Sequence, residues 1–76
     1  MTNSITFRWR KTTDINREYA VFELLRNEIP VMDLGYSDGD ILEVGFNPSI
    51  TGKLIEFDQL SSLLAEGKAN ADLDRQ

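Results

Sequence analysis

Residues 18–46 read EYAVFELLRNEIPVMDLGYSDGDILEVGF. Apolar side chains fall at every second position in three consecutive runs. Ala20, Phe22 and Leu24 share one face of the first run, Met32, Leu34 and Tyr36 one face of the second, and Leu42, Val44 and Phe46 one face of the third. A period of two is the mark of a half-buried strand. The opposite faces carry Glu23, Asp33 and Glu43. The stretch therefore predicts three antiparallel strands, within 18–26, 30–36 and 41–47, forming a sheet with one oily and one acidic face.

The connections fix the expected register. Arg26–Ile29 reads as a hairpin loop in which Asn27 takes a left-handed conformation, and Pro30, without an N–H, belongs at the start of its strand. Ser37-Asp38-Gly39 reads as a three-residue loop with Gly39 left-handed, which pairs Leu34 with Leu42 and Met32 with Val44. A two-residue Asp-Gly turn would instead set Leu34 against Glu43 and mix the faces. The chosen register puts Asp33 directly opposite Glu43, a like-charge pair that costs stability.

Working outward, Ile5, Phe7 and Trp9 alternate with Thr6, Arg8 and Arg10, so 5–11 predicts a first strand. Trp9 is in phase with Ile5 and Phe7, which favours a core or rim position over stacking on a nucleic acid base. Arg8 is expected to neutralise Glu23 across the sheet. Residues 12–17 are polar and read as a loop. After Asn47-Pro48-Ser49, Lys53–Phe57 reads as a short extended segment and Asp58 as a helix N-cap. Leu60, Leu63 and Leu64 make an apolar stripe over 58–68, which Gly67 weakens or ends and Lys68 closes. Residues 69–76 read as a frayed tail.

The expected architecture is α+β: a single domain over 1–76, a four-stranded antiparallel β-meander with one C-terminal helix packed on one face. Its expected core is Phe7, Trp9, Phe22, Leu24, Met32, Leu34, Leu42, Val44, Phe46, Leu60, Leu63 and Leu64.

Composition narrows the function. The chain has 76 residues, net charge −5, no Cys and no His. No disulfide or thiolate metal site is available, and the usual general base is missing. Residues 1–17 carry four cations against one acid, while 18–46 carry seven acids against one cation. An acidic sheet repels nucleic acid and attracts a basic protein. The opening Met1–Ser4 lacks the features of a secretory signal, and no apolar run approaches the ~20 residues of a membrane span. A cytoplasmic location is the simplest expectation.

No constellation carries a mechanism. Glu23, Asp33 and Glu43 on neighbouring strands are the residue types of a carboxylate pair or of a Mg²⁺ or Ca²⁺ site, but a flat sheet face excludes no water. Asp38-Gly39-Asp40 lacks the remaining ligands of a calcium loop. Ser61 and Ser62 have no His to activate them. Neither enzyme activity, cofactor nor metal is expected.

Leu25-Arg26-Asn27, Pro30, Met32-Asp33-Leu34-Gly35, Asp38-Gly39, Leu42-Glu43-Val44-Gly45-Phe46, Phe57-Asp58-Gln59-Leu60, Leu63-Leu64 and Gly67-Lys68 follow one another in an order that resembles small immunity proteins of bacterial polymorphic-toxin systems. The resemblance covers 18–68 and departs from the pattern in lacking a Gly after Asn27. It implies a cytosolic, acidic, non-enzymatic inhibitor that blocks a toxin by binding it, and it implies no binding residue. The residues themselves nominate the outer sheet face: Glu23, Asp33 and Glu43, with Tyr19, Val21 and Ile41 as apolar contacts, facing a basic toxin such as a nuclease. The alternative is a self-associating structural or regulatory domain, a homodimer with no toxin partner.

Overall fold

A computed structural model describes residues 4–76. Met1–Asn3, which belong to the stretch tested for a secretory signal, lie outside the described residues. The chain is α+β, with one four-stranded antiparallel sheet in the order β1-β2-β3-β4 and one C-terminal helix. The elements are β1 (Phe7–Thr12), β2 (Val21–Arg26), β3 (Ile29–Tyr36), β4 (Leu42–Phe46), a 3-10 turn at Pro48–Ile50, and α1 (Phe57–Arg75). Each strand lies beside its sequence neighbour, as short hairpin connections require. No helix of the described residues is long and apolar enough to cross a membrane.

The β2–β3 connection is a two-residue turn. Asn27 and Glu28 both have positive φ, 50° and 68°, the pattern that matches the twist of a hairpin. Asn27 bridges back to the segment before β1: its Oδ1 accepts from Thr6 N at 2.9 Å and its N–H donates to Thr6 O at 2.8 Å. Phe22 pairs with Leu34 and Leu24 with Met32, and the register then shifts so that Leu25 faces Pro30. Val31 is the extra residue of this bulge. Val31 and Met32, neighbours in sequence, both join Leu24 in one buried cluster, and Leu25 is buried as well.

The β3–β4 register differs from the expected one by two residues. Tyr36 pairs with Leu42, Leu34 with Val44 and Met32 with Phe46, and Asp33 faces Gly45 rather than Glu43. The loop is longer than three residues: Ser37 N donates to Ile41 O at 2.8 Å and Asp40 N to Ser37 O at 2.9 Å. The left-handed residue is Asp40, at φ 63°, not Gly39. Ser37 Oγ secures the loop by accepting from the N–H groups of Gly39 and Ile41. Because the slip is an even number, the faces are preserved, and Leu34 is 2% exposed.

Helix α1 packs on β2 and β3. Leu63, Gly67 and Ala71, at four-residue steps, are its buried positions. Leu63 joins Leu24, Val31 and Met32, and Ala71 joins Ala20, Phe22, Leu34 and Tyr36. Trp9 is partly buried against both clusters. Phe7, Leu42, Leu60 and Leu64 are also partly buried against them. Two residues expected in the core are not there: Val44 is 41% and Phe46 69% exposed, because the helix crosses β2 and β3 and stops short of the edge strand β4.

The helix also begins and ends elsewhere than expected. It starts at Phe57 with Glu56 as its N-cap, and Asp58 lies in its first turn. It continues past Lys68 to Arg75. The segment expected to fray is docked by polar contacts. Tyr36 Oη donates to Asp72 Oδ1 at 2.5 Å and Lys68 Nζ lies 2.7 Å from Asp72 Oδ2. Asp74 accepts from Ala20 N and pairs with Lys11 Nζ, each at 2.9 Å. The Arg75 guanidinium stands 4.0 Å over the Tyr36 ring. These partners hold the Asp72 and Asp74 carboxyls below the usual carboxylate range, Lys68 being the first cause for Asp72 and Lys11 for Asp74.

Candidate functional site

Helix α1 packs on one face of the sheet, through β2 and β3, and the other face carries the strands' charged residues. Its residues follow from the registers. One row across the strands is Arg10, Glu23, Asp33 and Gly45. Toward the β3–β4 loop, Gly35 faces Glu43. Toward the β2–β3 turn, Arg8 faces Leu25.

The charges on this face are graded. On the β1 side, Arg10 pairs with Glu23, Nη2 to Oε1 2.6 Å and Nε to Oε1 3.2 Å. Arg8 does not reach Glu23: its Nε pairs with Glu28 Oε2 at 2.8 Å. Phe7 opposite Arg26 fixes this register and puts Arg10, not Arg8, across from Glu23. The Glu28 ion pair holds the Glu28 carboxyl below, and the Arg8 guanidinium above, its ordinary value.

On the β4 side no cation among the described residues pairs with Asp33 or Glu43. Asp33 lies directly opposite Glu23, so the like-charge pair is Glu23–Asp33 rather than Asp33–Glu43. Asp33 makes no ion pair or side-chain hydrogen bond among the described residues. Its carboxylate folds over Gly45, where an added Cβ would stand 2.5 Å from Asp33 Oδ1. Gly35 is also closely approached, since its Cβ would stand 2.9 Å from Ala20 O. Glu43 is exposed, beside that glycine. At both glycines the room a Cβ would need is already taken, by the Asp33 carboxylate at Gly45 and by Ala20 O at Gly35.

Of the six residues nominated, the structure brings Glu23 and Asp33 together, sets Glu43 one row away, and places Val21 two positions before Glu23 on β2, opposite Thr12. Tyr19 and Ile41 belong elsewhere. The Tyr19 hydroxyl donates to Asp40 Oδ1 at 3.0 Å and its ring meets Tyr36 edge-on, centroids 6.4 Å apart. It packs against the cluster that holds Phe22 and Leu34, on the helix side. Ile41, 64% exposed, sits at the end of the β3–β4 loop. What the sequence reading missed is the answering charge: Arg10 lies in phase with Arg8, and only the register decides between them.

A shallow cleft of about 160 Å³ lies between the 11–20 segment and the end of α1, lined by Lys11, Asp14, Arg17, Tyr19 and Asp74 among others. Its cations are engaged, Lys11 by Asp74 and Arg17 by Tyr36 O at 3.0 Å. Among the described residues no group of three or more acids stands where it could hold a metal ion. No protein-family model, curated protein or solved structure matches this chain.

Proposed function

We propose that this chain is a binding protein of the immunity type, which neutralises a basic protein toxin by laying the β3–β4 half of its charged sheet face against it. The observation that carries this reading is Asp33. It lies beside Glu23, its neighbour Gly45 leaves room for its carboxylate, and no cation among the described residues pairs with it. A like-charge pair held at a strand centre costs stability, and a cationic partner recovers that cost on binding. The resemblance over 18–68 points the same way.

The competing account is a surface kept acidic for solvation, since exposed charges interact by only about 0–1 kcal/mol per pair. The reading includes a cytoplasmic location and the absence of catalysis, consistent with a chain that has neither His nor Cys. The test is co-expression. The product of the adjacent gene, expressed alone, should arrest growth, and this chain should restore it. A harmless neighbour, or arrest that this chain leaves untouched, overturns the proposal.

A further inference from the structure

The sheet has two edges, β1 and β4, and they are built differently. Natural sheets guard an edge with charge. β1 carries Arg8, Arg10 and Lys11 within six residues. β4 is Leu-Glu-Val-Gly-Phe, residues 42–46, with a single charge, and its Val44 and Phe46 are exposed on the helix side of the sheet.

The hydrogen bonds show which backbone groups of β4 are free. Ile41 O accepts from Ser37 N and Asn47 N donates to Val31 O. Bonded and non-bonded pairs alternate along an antiparallel ladder, so residues 41, 43, 45 and 47 aim their N–H and C=O groups at β3. Leu42, Val44 and Phe46 aim theirs outward, and no element of the described chain lies beyond β4.

We infer that β4 pairs with the β4 of a second copy, antiparallel, about a twofold axis at Val44. This register sets Val44 on its symmetry mate, Leu42 on Phe46 of the partner copy, and Glu43 on Gly45 of the partner copy. It joins every outward backbone group of the strand. It stacks apolar side chains on one face; on the other it sets no two β4 charges opposite each other, and brings Glu43 of the partner copy to the glycine over which the Asp33 carboxylate folds. Neighbouring registers fail. Centring on Glu43 or Gly45 uses groups already bonded to β3. Centring on Leu42 leaves Phe46 outside the ladder, and centring on Phe46 sets Val44 against Pro48, which has no N–H. β1 paired with itself would oppose its cations, and β1 paired with β4 would give an open chain of copies rather than a closed dimer.

The test is sedimentation of the full chain at concentrations up to about 1 mM, the weak limit of specific association. Alongside it, amide hydrogen exchange of Leu42, Val44 and Phe46 is followed as a function of concentration. A dimer is expected, with these three amides protected only when it forms. Val44→Lys, at a half-exposed position, should raise the dissociation constant by more than about tenfold by opposing two lysines at the axis, with the circular dichroism spectrum unchanged. Arg8→Ala on the other edge should leave it as it is. A monomer throughout, a dimer that survives Val44→Lys, protection confined to other amides, or open-ended growth with concentration would each overturn the inference. If Val44→Lys unfolds the chain, the exchange pattern of the unaltered protein decides alone.

Discussion

Trp9 and Gly67 touch across a sequence separation of 58. A Cβ on Gly67 would stand 2.6 Å from Trp9 Cζ2, and the indole Nε1 donates to Leu63 O at 3.0 Å. One turn of α1 thus supplies both a surface bare enough for the ring and a carbonyl for its N–H. This contact ties the edge strand β1 to the helix.

Gly67→Ala should therefore destabilise the protein. Helix propensity alone favours alanine by about 1 kcal/mol, but overpacking against a large ring costs about 1–3 kcal/mol. The net expectation is a lower denaturation midpoint, with the sign reversed in a Trp9→Ala background. Urea melts of the two single variants and the double variant check it. A Gly67→Ala effect that Trp9→Ala leaves unchanged would mean that the glycine answers to something other than the ring.

The register makes a second contrast. Leu34 and Val44 face each other, yet Leu34 is 2% exposed and Val44 41%. Leu34→Ala should cost about 2–5 kcal/mol. Phe46→Ala, at an exposed edge position, should cost no more than about 1 kcal/mol in dilute solution. Chemical denaturation of both at low protein concentration gives the comparison directly.

Acid should loosen the end of α1. The Asp72 and Asp74 carboxyls sit below their ordinary value in the folded chain. A depressed value contributes stability that is complete above the unfolded carboxyl value, near pH 4, and is lost as pH falls through the lower folded value. Tyr36 is raised, first by its hydrogen bond to Asp72, so its contribution is present below about pH 10 and is lost as pH rises through the folded value. Stability measured from pH 2 to 11 should fall at both ends. Asp72→Asn with Asp74→Asn should flatten the acid limb, and an acid limb of unchanged slope in that double variant would count against this account.

The meander and its core face were legible because alternation in 20–24, 32–36 and 42–46 is a local signal, and a face survives any even slip of register. The slip itself was not legible. It turns on Asp40 taking the left-handed conformation usually given to glycine, while Gly39 does not. The helix end was misread for a different reason. Residues 69–76 are polar, and polar residues fray unless something holds them. Here Tyr36, Lys11, Ala20 N and Asp40 hold them, and no local pattern in 69–76 announces partners that lie in the sheet. The same limit hid Arg10 as the partner of Glu23.

The outer face makes the last expectation. Arg10 compensates Glu23 but stands on the side away from Asp33, so the Glu23–Asp33 pair is relieved from one side only. Neutralising Asp33 and Glu43 together, to Asn and Gln, should leave the fold as stable as before or steadier by up to about 1 kcal/mol. Association with the basic toxin identified by co-expression should slow, and the salt dependence of its rate should flatten, because these two acids provide the unanswered field that steers a cation to this half of the sheet. Arg10→Gln should do the opposite: it exposes a third unanswered acid, costs about 0–1 kcal/mol of stability, and speeds association at low salt. Stopped-flow mixing across salt concentrations reads both variants. Equal association rates for the two, at low salt and with both folded, would remove the sheet face from the interface and move attention to the β3–β4 loop and the helix.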